Sequence, residues 1–336
     1  MVSSSLKRMN HHAKDTVVTI LFAIGIWIFR FLSYESLPVL ARRIGSLGFL
    51  LVKRYRNRVI ENLNIAFGKE RDSEKTYLLS KEIFFHLACT PLELLFLLSH
   101  AHPQEQFLRQ IKVQGKENLD RALSKGNGAI ALGMHLGSFI LLVSRLVIEG
   151  YPCNLVINRT HFPKLWQSFE RYHRISGAKP IYTKPNVTAV KKSLNCLRRN
   201  EILHALADEQ QRHRGISTPF FGQQVFTSPG PAILSIKTGA PMLPMYVLRG
   251  NEMERTLVIE SPVTIQQTGD EERDIELLTC EFTCRIEQIV RQYPSQWSWL
   301  NRRWKLPRPG ARQRKGQDFS SGRDESPSLG IRDQMG

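Results

Sequence analysis

This 336-residue chain is short of acid. Asp and Glu number 30 against 47 Lys and Arg, a formal charge of +17. That balance predicts attraction to anionic partners: nucleic acid, anionic lipid or an acidic carrier protein. Cysteine is sparse as well. Cys89, Cys153, Cys196, Cys280 and Cys284 are scattered, odd in number and without a CxxC pair. This argues against a disulfide framework, and no His or Cys cluster has zinc spacing, so neither a metal nor a cofactor is expected. The thiols read as reduced, in a domain facing the cytosol. There is no internal repeat. No uncharged apolar run reaches the roughly 20 residues that span a bilayer comfortably.

What is there begins with a polar stretch, residues 1–16, that carries Lys7, Arg8 and Lys14. An apolar segment, 17–32, follows and is broken only by Arg30, which can snorkel. No small-x-small cleavage site comes after it, so a membrane-anchoring helix is the better reading than a secretory signal. More basic residues follow the segment than precede it, which puts the body of the protein in the cytoplasm, on the inner face of the plasma membrane. Residues 33–305 read as the main domain. Residues 306–336 are rich in Pro, Gly, Ser and charge without periodicity and read as a disordered tail.

The main domain is organised around residues 129–140. A turn signal at 125–128 precedes the short apolar run Ala129–Met134, which reads as a buried strand. His135 stands at its end, and a longer apolar pattern to Ile148 reads as a helix. Further strands are expected at 155–157, 180–182 and 202–207, with helices at 163–175 and 187–197 between them. The alternation implies a mainly parallel sheet covered by helices, an α/β fold. Strands of such a sheet end on one edge, where sites form. Asp208 and Glu209 close the 202–207 strand, so these acids and His135 are expected to converge.

The segment at His135 resembles the first motif of the lysophospholipid acyltransferase superfamily, in its lipid A biosynthesis (lauroyl/myristoyl) acyltransferase branch. That motif is a histidine, four residues, then Asp or Glu. His135 matches it, but the fifth position after His135 is Ile140. Four further segments, in order, resemble the same family. They are 56–67 with its Asn62-Leu63 and Ala66-Phe67, and Asp208 in a second signature. The third is Phe220-Phe221-Gly222 running on to Thr238-Gly239-Ala240-Pro241, and the last is 296–305 with Trp297, Trp299 and Trp304. Arg159, and Arg174 with Gly177, match family arginines. Thr227, Ser228 and Gly230, before a helix, can hold a phosphate, although alone they are an ordinary cap.

The resemblance implies a glycerolipid acyltransferase-like fold. It implies transfer of a fatty acyl group from acyl carrier protein or coenzyme A to a hydroxyl of a lipid A precursor or related glycolipid. His135 is then the general base, with Arg159, Arg174, Thr227, Ser228 and Gly230 on substrate. Ile140 cannot orient the ring as the motif acid does, which leaves three readings open. Asp208 or Glu209 takes over, or His135 acts alone, or the protein is a catalytically impaired relative that binds lipid or carrier. A basic nucleic-acid-binding protein is the reading from another class. The three tryptophans among basic residues fit either a membrane interface or a base-stacking platform, but no nucleic-acid recognition motif accompanies them.

Overall fold

The structure is a computed structural model that describes residues 16, 18–68, 70–99, 103–158, 163–211, 215–251 and 254–304. The expected polar N-terminus and the tail at 306–336 therefore lie outside the described residues, apart from Thr16.

Seven strands form the central sheet, in the order β1 (Lys112–Gln114), β9 (Arg255–Ile259), β8 (Met242–Arg249), β2 (Ala129–Gly133), β5 (Ile202–Leu206), β3 (Cys153–Ile157) and β4 (Lys179–Tyr182). All neighbours pair in parallel except β8 and β9. Every residue of β2 is buried, as its unbroken apolar run requires of a central parallel strand. Its side chains alternate. Ile130 and Leu132 enter a core shared with α3 (Lys53–Phe67), α9 (Asn186–Arg198), α10 (Gly230–Thr238) and α11 (Glu271–Gln292). Ala129 and Ala131 face a second core, built with α4 (Ser73–Ser99), α5 (Pro103–Arg109), α6 (Lys116–Leu123), α7 (Leu142–Ile148) and α8 (Pro163–Ser176). A separate antiparallel hairpin joins β6 (Ile216–Phe220) to β7 (Gln223–Thr227).

The apolar segment near the N-terminus forms α1 (Val18–Phe29). Phe29 packs with Leu37 and Ala41 of α2 (Leu37–Leu51) and Leu92 and Phe96 of α4 in a third cluster. Helix α4 has the length and composition of a membrane span, yet most of it is buried within the domain. Pro91 lies inside this helix without interrupting it.

Two expectations are corrected. The helix read after His135 starts only at Leu142: a single 3-10 turn, Phe139–Leu141, precedes α7. Residues 136–138 instead bridge to other segments. Leu136 pairs with Trp297 and Gly137 with Val247. Gly137 sits at φ +56°, and a Cβ there would lie 2.0 Å from the Val247 carbonyl oxygen, so glycine is required. The tryptophans are not an exposed platform. Trp297 and Trp299 are among the most buried of the described residues, at 1% and 0% exposure, and Trp304 is partly buried against them. Their large rings find enough apolar partners among Phe67, Phe220 and Phe221 to enter the core.

Candidate active site

β2 and β5 are in register with Gly133 opposite Leu206, and the Ala207 amide donates to the Gly133 carbonyl at 3.0 Å. Both chains then leave the sheet at the same edge. At His135 the β2 extension makes a three-residue turn, closed by the Leu136 amide on the Met134 carbonyl at 2.7 Å. The closing segment of the domain clamps this turn. Ser298 N–H donates to the His135 carbonyl, and Gly137 N–H donates to the Gln296 carbonyl.

The turn aims His135 at Asp208. Nδ1 of the ring lies 2.9 Å from Oδ1, and the His135 amide donates to Oδ2 at 2.8 Å. The Trp297 indole N–H donates to the same Oδ2 at 2.8 Å. Asp208 is wholly buried and satisfied by these donors. An ionised carboxylate only accepts, so the ring hydrogen belongs on Nδ1 and Nε2 keeps its lone pair. Nε2 is on the open side, 3.9 Å from the exposed Glu209 carboxylate. Of the two acids named from the sequence, then, Asp208 holds the ring and Glu209 stands at the mouth.

Burial pushes the His135 ring toward lower values, but the charge and hydrogen bond of Asp208 more than offset it and hold the ring above the ordinary histidine value. Burial likewise opposes ionisation of Asp208; the His135 ring and its own donors outweigh this and keep the carboxyl below the usual range. The pair is mutually stabilising, with the carboxylate charged and the ring able to accept a proton on Nε2.

Ile140 lies on the wall of a cavity of about 450 Å³ that opens at His135 and runs between the sheet and α7 and α8. Leu94, Val143, Leu155 and Leu206 also line it. A carboxylate at position 140 would point into this apolar space.

Ser138 Oγ donates to Glu93 at 2.8 Å, and the buried Glu93 is gripped by Arg249 and Arg255, at 2.8 and 2.9 Å. Burial would raise the Glu93 carboxyl, but the two guanidinium groups overcome this and pull it down to about 2. Arg303, wholly buried, donates to the Glu209 carbonyl and to Thr227 Oγ1 and so fixes the turn that carries Asp208.

The remaining residues expected on substrate are spread out. Thr227 is fully buried, with its hydroxyl engaged by Thr218 and Arg303, so it braces the loop and cannot meet a ligand. Ser228 Oγ accepts from the Gly230 amide at 3.4 Å, an ordinary cap contact at the start of α10. Arg174 is exposed on α8 and does not line the cavity. Arg159 lies outside the described residues. Among the described residues no group of three or more His, Cys, Asp or Glu is placed to hold a metal.

Glu93, Arg303 and the bonding role of Trp297 were not legible as site features in the sequence. The only available signal was the clustering of tryptophan and arginine at 297–304. Each acts across more than 40 residues of chain through a register that the local pattern does not carry.

The family model of bacterial lipid A biosynthesis acyltransferases matches residues 7–306. The chain is 23% identical over 292 residues to the lipid A biosynthesis palmitoleoyltransferase of Escherichia coli (strain K12), covering 84% of this chain and 90% of that protein. To the lipid A biosynthesis lauroyltransferase of the same organism it is 21% identical, covering 87% and 92%. To the phosphatidylinositol mannoside acyltransferase of Mycobacterium tuberculosis it is 25% identical over 193 residues, covering 57% and 59%.

Proposed function

This chain belongs to the bacterial lipid A biosynthesis acyltransferase family and is an O-acyltransferase, and from that premise we propose that it moves a fatty acyl group from a thioester donor to a hydroxyl of a lipid A precursor or related glycolipid, with His135 as general base and Asp208 as the carboxylate that orients it. The observation that carries the assignment is the 2.9 Å contact between His135 Nδ1 and Asp208. It fills the role that Ile140 leaves vacant in the first motif.

The chemistry follows from the geometry. Nε2 removes the proton of the acceptor hydroxyl as its oxygen attacks the thioester carbonyl. Asp208 stabilises the imidazolium that forms, as the acid does in a Ser-His-Asp triad. When the C–O bond has formed and the C–S bond breaks, the proton passes from Nε2 to the departing sulfur. The fatty chain lies in the cavity beside His135, whose size is within the usual range for a small-molecule pocket. A positioned base contributes roughly 10²–10⁴ in rate, so the paired His135 favours a working enzyme over an impaired relative.

The donor is an acyl carrier protein or an acyl-coenzyme A. Both are anionic, and a chain of net charge +17 attracts either. The protein sits on the membrane through α1 and α2. Ile20, Leu21, Ile24 and Trp27 of α1, and Leu47, Leu50 and Leu51 of α2, are exposed. The other side of α1 packs on α4, as in a helix that lies along the interface. We read the site as lying at the inner face of the plasma membrane, the side to which the basic residues after 17–32 assign the body of the protein. Arg174, exposed on α8, and Arg159 are the residues we assign to anionic groups of donor or acceptor.

The test is transfer by the purified full chain in detergent, with labelled acyl carrier protein and coenzyme A thioesters and a lipid A precursor, read by lipid mass spectrometry. His135→Ala should abolish the product. Failure of the wild-type protein to transfer from either donor to any glycolipid would leave the binding-protein reading in its place.

A further inference from the structure

The cavity beside His135 is apolar in most of its wall, but one buried group in it has no apolar reason to be there. His204, in the middle of β5, is 3% exposed and lines the cavity. Neither its Nδ1 nor its Nε2 has a hydrogen-bond partner. Leaving a buried polar group unmet costs roughly 1–3 kcal/mol per group, and a leucine would fill the same place on the strand without that cost. Native interiors rarely tolerate such groups without a use for them.

The ring's place is made for it. His204 is opposite Ala131 on β2, and its Nε2 lies over Gly133, two residues before His135. A Cβ on Gly133 would stand 2.3 Å from that nitrogen. The absent side chain at 133 and the small Ala131 leave room for an imidazole at the reacting end of the cavity. Elsewhere in the cavity lining, the Nδ1 of buried His173 is also without a partner.

Burial, together with the nearby His135 ring, pushes His204 down to about 4, so the ring is neutral at physiological pH. Either tautomer of a neutral imidazole offers one N–H donor and one acceptor. A polymethylene chain can meet neither. A hydroxyl can donate to one nitrogen or accept from the other.

We propose that His204 is a specificity-determining residue, binding the hydroxyl of a hydroxy fatty acyl chain close to its carboxyl end. This rests on the acyl-transfer reading above and names the class of acyl chain that the site prefers. A site built to hydrogen-bond a hydroxyl discriminates strongly against the analogue that lacks it, because the buried partner is then left unmet.

The experiment compares donor thioesters of one chain length, unsubstituted, 2-hydroxy and 3-hydroxy, with the full chain in detergent. The wild-type protein should favour one hydroxyacyl donor by about tenfold to a thousandfold in kcat/KM. His204→Leu should bring that ratio close to one, and His204→Gln, which keeps a donor and an acceptor, should retain part of it. Binding of the free fatty acids, read as a thermal shift, should show the same preference in the wild type and lose it in His204→Leu. A wild-type protein that transfers the unsubstituted chain as well as either hydroxyacyl chain overturns the inference and leaves the transferase reading intact. So does a His204→Leu variant that slows all donors equally, the mark of a role at the reacting carbonyl or in folding. A protein that transfers nothing, yet binds the hydroxy fatty acid more tightly through His204, overturns the transferase reading and keeps the pocket.

Discussion

The Trp297 indole and the His135 backbone amide donate to the same carboxylate oxygen of Asp208, each at 2.8 Å. One tryptophan from the end of the domain thereby holds the acid that holds the His135 ring, the proposed base. Trp297→Phe keeps most of the ring's packing and removes only the N–H. It is expected to lower kcat about tenfold to a hundredfold, with KM for the donor nearly unchanged, because the lost bond orients Asp208 and touches no substrate. A steady-state comparison of the two proteins checks this.

Asp208→Asn is expected to lower the plateau rate by about 10²–10⁴. Its pH profile has a required sign. With His135 as the proposed base, activity needs the ring unprotonated, so in the wild type the rate is expected to climb as pH rises through a histidine value held above the ordinary one by Asp208. With the carboxylate gone, burial acts alone, the ring's value falls, and the acid limb moves to lower pH. A profile of kcat/KM between pH 5 and 9 reads the shift. Movement toward higher pH would contradict the pairing.

Ile140→Glu restores the motif carboxylate in sequence. In space it places a charge on an apolar cavity wall, with His135 Nδ1 already taken by Asp208. The expected outcome is no gain in activity and a fall in thermal stability of several degrees, since an unpaired buried charge is costly. A rise in kcat above wild type would show that Asp208 is an inadequate substitute.

Glu93 neutralises two buried guanidinium groups and anchors Ser138 beside the His135 turn. Glu93→Gln removes the carboxylate that both arginines share and should cost about 3–5 kcal/mol of stability, measured by urea unfolding. The carboxyl is held at about 2, below its ordinary 4.5. Its contribution is therefore complete above about pH 4.5 and is lost as pH falls toward 2. The variant should lose the part of the wild type's acid destabilisation that falls in that window.

Replacing Ile24, Trp27, Leu47 and Leu51 together with serine changes only exposed apolar side chains of α1 and α2. Sedimentation with vesicles of anionic lipid should drop at least tenfold, with Tm within a few degrees of the wild type. Retention on vesicles in 1 M salt would locate the membrane contact elsewhere.

Local chemistry decided a large part of this protein before folding. The apolar run at 129–133, and the one at 202–206 broken only by His204, read as buried strands. Their alternation with amphipathic helices required a parallel sheet, and that topology required His135 and Asp208 to leave it at one edge. The histidine and the choice of two acids were legible for that reason. Which acid faces the ring was not, because adjacent residues at a strand end point in different directions and only the packed turn selects one. The same holds for Trp297. Its neighbours in sequence are polar and basic, which suits a membrane interface, and its burial depends on partners such as Leu136 and Phe220 that the local pattern does not name. His204 reads in sequence as one polar residue in a strand. Only the pairing with Ala131 and the empty place at Gly133 make it a feature of the cavity. Periodicity is a property of a few consecutive residues and survives in any context; a hydrogen bond between residues 73 or 89 positions apart exists only once register and packing have brought its atoms within 3 Å.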